Sequence, residues 1–116
     1  MEKDQLNLLI MSYRYMRLIL FFDLPVEKVS QRKSYAKFVK DIKKLGFYML
    51  QESVYLKLCS DSRMASSIET SVEKIAPSEG SVAILTVTEK QFSEMNFVVG
   101  EHYTDVLNTD ERITEL

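Results

Sequence analysis

The 116-residue sequence is poor in the residues from which several common kinds of site are built. Its single cysteine, Cys59, excludes a disulfide framework within the chain and a cysteine-based zinc cluster, and we expect it to be a buried strand residue. The single histidine, His102, lies in a polar segment without a second histidine or a cysteine nearby. There is also no glycine-rich phosphate loop and no serine nucleophile elbow. These absences argue against P-loop, serine-hydrolase and Cys/His metal chemistry.

Long apolar runs are also absent. No segment approaches the length needed to span a bilayer, and the first ten residues lack the basic start and cleavage site of a secretory signal. We therefore expect a cytoplasmic protein without membrane contact.

Acidic residues are the minority in the first half of the chain, and basic residues are the minority in the second half. The net charge is −2, but residues 1–60 carry 11 Lys and Arg against 6 Asp and Glu, whereas residues 61–116 carry 4 against 11. A local basic surface can bind phosphate even when the whole chain is slightly acidic.

The hydrophobic pattern predicts the order strand, helix, strand, strand, helix, strand. Residues 15–24 are nearly all apolar, as expected for a central strand that is buried on both faces. A turn without Gly, Pro or Asn separates the two middle strands, so one bent strand is the alternative there. The other predicted elements are a helix over 30–45 capped by Ser30, strands over 47–51 and 53–59, a helix over 61–76 capped by Ser60 or Asp61, a strand over 81–88, a short helical turn within 88–95 and a short last strand over 97–100.

This order is that of the ferredoxin-like βαββαβ fold, in the α+β class, with an extra short C-terminal strand. Two helices would cover one face of the sheet, and a second copy of the chain is the simplest cover for the other, giving a homodimer with facing sheets. We divide the chain into an N-terminal extension over 1–11, a ferredoxin-like domain over 12–100 and a C-terminal tail over 101–116.

The first predicted helix has two chemically different faces. Its apolar arc comprises Tyr35, Phe38, Val39, Ile42 and Leu45. The opposite arc, which we call the lysine face, comprises Lys33, Lys37, Lys40 and Lys44. Four lysines in a row could follow a phosphate backbone by shape and charge, and the alternative is an ordinary solvated helix surface.

Two further residues are candidates for chemistry near the end of the first strand. Asp23 is the only acid in that apolar strand, and Arg32 follows near the start of the helix. One carboxylate per chain cannot form a two-carboxylate magnesium site, but two copies could meet across a two-fold axis. The alternatives are that Asp23 begins a turn before Pro25 and that Arg32 pairs with Glu27.

Four short motifs resemble the CRISPR-associated protein two family, in the branch found beside single-protein effector nucleases. They are MRLILFFDLP at 16–25, Arg32, GFYMLQESVY at 46–55 and LTVTEKQF at 85–92. The resemblance runs from about residue 12 to about residue 111.

The resemblance implies a homodimer in which Asp23 is the metal-linked and catalytic aspartate, paired with its twin around Mg²⁺. It implies cleavage of single-stranded RNA, and a general role in bridging dimers of the integrase subunit and holding double-stranded spacer DNA. We expect Arg32 and the lysine face to bind nucleic acid. A DNA-binding scaffold without catalysis and a regulatory domain that binds a small molecule at a dimer interface remain the alternatives.

Overall fold

The computed structural model describes residues 2–100, without the side chains of Met11 and Ser12. The predicted tail over 101–116, with His102, lies outside this part of the chain. In chain order the elements are α1 (Lys3–Arg14), β1 (Met16–Asp23), α2 (Val29–Lys44), β2 (Tyr48–Gln51), β3 (Val54–Cys59), α3 (Ser62–Ile75), β4 (Ser81–Thr88) and α4 (Glu89–Ser93).

The four strands form one antiparallel sheet in the order β2-β3-β1-β4. β1 lies at the centre, paired with β3 on one side and β4 on the other, which explains why its sequence is almost entirely apolar. The two crossover units β1-α2-β2 and β3-α3-β4, joined by the β2–β3 hairpin, give the ferredoxin-like arrangement. The predicted fold class is therefore confirmed.

Alternation along β1 divides its side chains between the two faces of the sheet. Leu18, Leu20 and Phe22 lie on the face that α2 and α3 cover. The main core forms in this layer, and all five apolar residues predicted for the first helix belong to it or pack against it. Phe22 makes edge contacts with the rings of Tyr35 and Phe38, and Cys59 is fully buried as expected.

The helix boundaries match the sequence pattern to within a residue or two, but one cap differs. Asp61 caps α3 by accepting a hydrogen bond from the Met64 backbone N–H at 2.9 Å, as predicted. The predicted cap of α2 is wrong, because Ser30 lies within the helix and Lys28 is the N-cap residue. There the Gln31 side chain accepts from the Lys28 backbone N–H at 2.9 Å, which is half of a capping box.

A hairpin joins β2 and β3, which excludes the alternative of one bent strand. Ser53 adopts φ 62° at its tip, in the left-handed region that usually selects Gly or Asn. The register shifts between Met49 and Gln51 as the strands approach the turn.

Two features at the ends of the chain differ from the prediction. α1 was not predicted, and it packs against α4 and β4. The short strand expected over 97–100 is not formed in the single chain, where 98–100 are bends. A strand requires a neighbouring strand for its ladder, and residues 97–100 pair with none of the four strands described in the single chain. Within residues 2–100, no helix is both long and apolar enough to cross a membrane.

Candidate functional site

Asp23 is the last residue of β1, and its carboxylate is exposed. It lies on the sheet face opposite α2 and α3, which we call the second face, because Ile19, Phe21 and Asp23 alternate with the core residues. Its neighbour across the strand pair is Ser81 of β4. The residues lining an open depression around it are Phe21, Phe22, Asp23, Ser53, Val54, Ser81 and Ala83.

Gly80 fixes the backbone position of Asp23. A Cβ atom at Gly80 would lie 2.6 Å from the carbonyl oxygen of Asp23 and 2.9 Å from Cδ2 of Leu24. Gly80 also has φ +91°, which L side chains rarely adopt. The end of β1 can therefore approach the turn before β4 only because residue 80 has no side chain.

The donor atoms around Asp23 are all oxygens, the type that Mg²⁺ prefers. The depression holds one carboxylate, from Asp23, and two serine residues, Ser53 and Ser81. Among residues 2–100 no group of three or more His, Cys, Asp or Glu side chains could hold a metal ion. The chemistry of the donor set thus fits Mg²⁺, and a single chain supplies only half of a two-carboxylate site.

Arg32 is tied to the loop that follows Asp23. Its Nη1 donates hydrogen bonds to the backbone carbonyls of Val26 at 2.9 Å and Glu27 at 2.8 Å. The alternative of an ion pair with the Glu27 carboxylate is therefore wrong, since the contact is with the backbone. Within the described part of the chain, Nε and Nη2 of Arg32 make no hydrogen bond, and the residue is exposed.

The lysine face is exposed along the whole of α2. Lys33, Lys37, Lys40 and Lys44 all project away from the sheet, opposite the apolar arc that the core absorbs. One acid interrupts them: Asp41 accepts a hydrogen bond from Lys37 Nζ at 2.7 Å. That hydrogen bond, with the positive charges of Lys44 and Lys40 nearby, holds the pKa of Asp41 below its usual value.

A buried charged cluster lies at the other end of the second face. Arg17 of β1 is fully buried, donating from Nη2 to Glu89 of α4 at 2.5 Å and from Nη1 to the Tyr48 hydroxyl at 2.7 Å. Its guanidinium also lies 4.3 Å from the ring centroid of Phe92. This cluster was not predicted from the sequence, although Arg17, a lone arginine inside an apolar strand, was a signal for it.

The second face is consequently closed at one end and open at the other. α4 covers Arg17, and Ile19 and Leu56 in the middle are buried. The face is uncovered toward Asp23, where Phe21 is 41% exposed, and along β4, where Leu85 opposite Ile19 is 52% exposed. We call this region the bare end.

Comparison with known proteins supports the resemblance of the motifs. The family model described as "CRISPR associated protein Cas2" matches residues 16–95. The chain belongs to the Cas2 family. Three curated Cas2 relatives, each named "CRISPR-associated endoribonuclease Cas2", are similar over most of their length.

The Cas2 protein of Treponema denticola is 50% identical over 101 residues, which are 87% of this chain and 100% of the relative. That of Ligilactobacillus salivarius is 43% identical over 97 residues, covering 84% of this chain and 96% of the relative. That of Streptococcus mutans UA159 is 40% identical over 101 residues, covering 87% and 93%.

The part of the chain that matches the Cas2 family contains every candidate described above. Asp23, Arg32, the lysine face and the Arg17 cluster all lie within residues 16–95, and α1 lies outside it. The motif at 85–92 has a structural explanation, because its Glu89 and Phe92 are the two α4 residues that contact Arg17.

Proposed function

We propose that this protein is an endoribonuclease and adaptation protein of a CRISPR system, acting as a homodimer. In this proposal it cleaves single-stranded RNA with Mg²⁺, binds double-stranded spacer DNA and bridges dimers of the integrase subunit. The observation that carries the proposal is the exposed carboxylate of Asp23 at the bare end of the second face. The names of the Cas2 relatives support the nuclease activity.

The bare end supports the proposed dimerisation. Phe21, Ala83 and Leu85 present apolar surface beside Asp23, and such surface is stabilised when a second copy covers it. A two-fold axis through this region brings the same residues of both copies together. The two Asp23 carboxylates then lie at one interface, which completes the oxygen donor set that one chain leaves half-formed.

The residues of this chain have separate tasks in cleavage. Asp23 and the Asp23 of the second copy would hold Mg²⁺, which when bound lowers the pKa of a coordinated water and stabilises charge on the phosphate. Arg32 would steady the phosphate with Nε and Nη2, while Nη1 keeps the guanidinium fixed on the loop. The serines lining the depression are poor proton donors, so we expect slow cleavage.

DNA binding uses a different part of the molecule. The lysine face offers four flexible ammonium groups along one helix, which suits contacts to phosphates and provides no reading of bases. Binding of this kind weakens steeply with salt, because each neutralised phosphate releases counterions.

Two variants separate the two roles. Asp23→Asn keeps the shape of the side chain and removes its charge, so we expect loss of RNA cleavage with spacer acquisition retained. The triple variant Lys33→Glu, Lys37→Glu, Lys40→Glu should bind duplex DNA more weakly, with a shallower salt dependence, and retain the fold by circular dichroism. The measurements are cleavage of a labelled RNA in Mg²⁺, spacer acquisition in cells and DNA binding against salt.

Each outcome decides one part of the proposal. Cleavage that persists in Asp23→Asn would exclude Asp23 from the nuclease site. If the unaltered protein cleaves no RNA but supports acquisition, the protein is a scaffold only. Unchanged DNA binding by the lysine variant would remove α2 from the DNA footprint.

A further inference from the structure

The one acidic residue of α2 lies within the lysine face. Asp41 is in ion-pair contact with Lys37, one turn earlier in the helix, at 2.7 Å. The Asp41 side chain is only 18% exposed, whereas that of Lys37 is 75% exposed. The carboxylate is therefore held against the helix, and the ammonium reaches back to it from solvent.

Helix stability does not account for this pair. Exposed pairs four residues apart contribute little, and an acid four residues after a lysine is the less favourable order. Asp41 also lies in the last turn of α2, where the helix dipole disfavours negative charge. Aspartate is in addition one of the weaker helix formers. An acid at position 41 thus has local costs, and what offsets them is its interaction with Lys37, Lys44 and Lys40, the same charges that a phosphate would contact.

The effect of Asp41 on an anion is more direct. A phosphate that contacts Lys37 competes with the Asp41 carboxylate for its ammonium group, and it is repelled by that carboxylate while it contacts Lys40 or Lys44. The pKa of Asp41 is lowered by the same lysines, so the carboxylate keeps its charge at neutral pH.

We propose that Asp41 is an internal counter-charge that competes with nucleic-acid phosphates for Lys37 and sets the affinity of the lysine face. This inference rests on the proposed binding of DNA by α2. In this arrangement the lysine face binds a duplex less tightly than it would without Asp41. The weaker binding allows the duplex to be released.

Neutralising Asp41 tests the inference. We expect Asp41→Asn to bind a labelled duplex DNA about two- to fivefold more tightly, the range expected for loss of one exposed charge interaction. The dependence of log affinity on log salt should steepen by about one unit, because one more phosphate is neutralised. The matched control is Glu73→Gln on α3, which changes the net charge equally at an exposed site away from α2.

Two further variants show whether Asp41 acts through Lys37. Asp41→Glu keeps the charge and should bind like the unaltered protein. In a Lys37→Gln background, Asp41→Asn should give a smaller gain, because the lysine for which it competes is gone. Circular dichroism of all variants verifies that α2 remains folded.

The results distinguish this inference from the proposed function. If charge reversal of the lysines weakens DNA binding but Asp41→Asn does not tighten it, the counter-charge role is wrong and the DNA-binding role stands. An equal gain from Glu73→Gln would mean that only net charge matters. Should lysine reversal itself have no effect, both ideas fail together.

Discussion

Gly80 is a single-residue requirement for the position of Asp23. Gly80 and Gly46 both have a positive φ, +91° and +100°, but the two glycines have different neighbours. A Cβ at Gly80 meets the backbone of Asp23, whereas a Cβ at Gly46 meets only the end of the Lys57 side chain. A backbone atom cannot move aside as a flexible ammonium group can.

We therefore predict that Gly80→Ala destabilises the fold and also impairs cleavage. The strained backbone alone costs roughly 1–3 kcal/mol of the free energy of unfolding, and the contact with Asp23 adds to it. Gly46→Ala, with the same kind of strain, should lose stability and keep its RNA cleavage. Urea denaturation and a cleavage assay measure the two effects, and equal cleavage by both variants would contradict a positioning role for Gly80.

Single residues also show what the sequence could predict. Asp23 could be singled out because an acid in an apolar strand is conspicuous in any fold. The contacts of Arg32 could not be predicted, because they are to backbone carbonyls of Val26 and Glu27, and a carbonyl has no signature in the sequence. Arg17 was equally conspicuous in its strand, but its partner Glu89 lies 72 positions away and only the fold brings them together.

At the scale of elements, α4 is a five-residue helix that depends on one buried ion pair. So short a helix is not stable alone. Its capping box, formed by Thr88 and Gln91, provides hydrogen-bond partners only for backbone N–H groups at its first turn. Glu89 and Phe92 hold α4 against β1 through their contacts with Arg17. The Glu89 backbone N–H also donates a hydrogen bond to the backbone carbonyl of Tyr15 at 2.9 Å.

Removing one member of this pair should therefore be costly. We predict that Glu89→Ala lowers the free energy of unfolding by about 3–5 kcal/mol, because it removes the carboxylate that faces the buried Arg17 guanidinium. The double variant Arg17→Met, Glu89→Leu should recover most of that loss, since apolar residues can replace a buried ion pair. Glu94→Ala, at an exposed neighbouring acid, is the control for urea denaturation. A loss below about 1 kcal/mol for Glu89→Ala would show that the pair is dispensable.

The elements were predictable to different degrees. Strong periodicity gave α2, α3 and β4 nearly to the residue, because one face of each is buried in the core. α1 was missed although Leu6, Leu9, Ile10 and Tyr13 have the i, i+3, i+4, i+7 spacing of a helical stripe. These residues remain at least 41% exposed, so the main core does not absorb them. The hairpin turn was uncertain because a serine adopts the left-handed conformation there.

At the scale of the whole molecule, two layers leave one sheet surface partly uncovered. The helices α2 and α3 close the first face, and α4 closes only the far end of the second. The order of elements predicted that one face of the sheet would lack a cover within the chain. The sequence did not predict which end of the second face is uncovered, because that depends on where α4 packs.

We predict that Leu85→Asp, at the bare end, shifts the protein from dimer to monomer without unfolding it. A charge buried at an interface is unfavourable, whereas at an exposed monomer surface it is tolerated. Val29→Asp, which is 59% exposed on α2, is the control and should stay dimeric. Sedimentation velocity measures the oligomeric state. A Leu85→Asp protein that remains a dimer would place the interface elsewhere.

The layering also determines which reactions can occur together. The lysine face of α2 and the carboxylate of Asp23 lie on opposite sides of the same sheet. Under the proposed function, a duplex lying along the helix would therefore be separated by the sheet from the acid of its own chain. The proposed capture of DNA and the proposed scission of RNA would then use separate surfaces, so loss of one should leave the other intact.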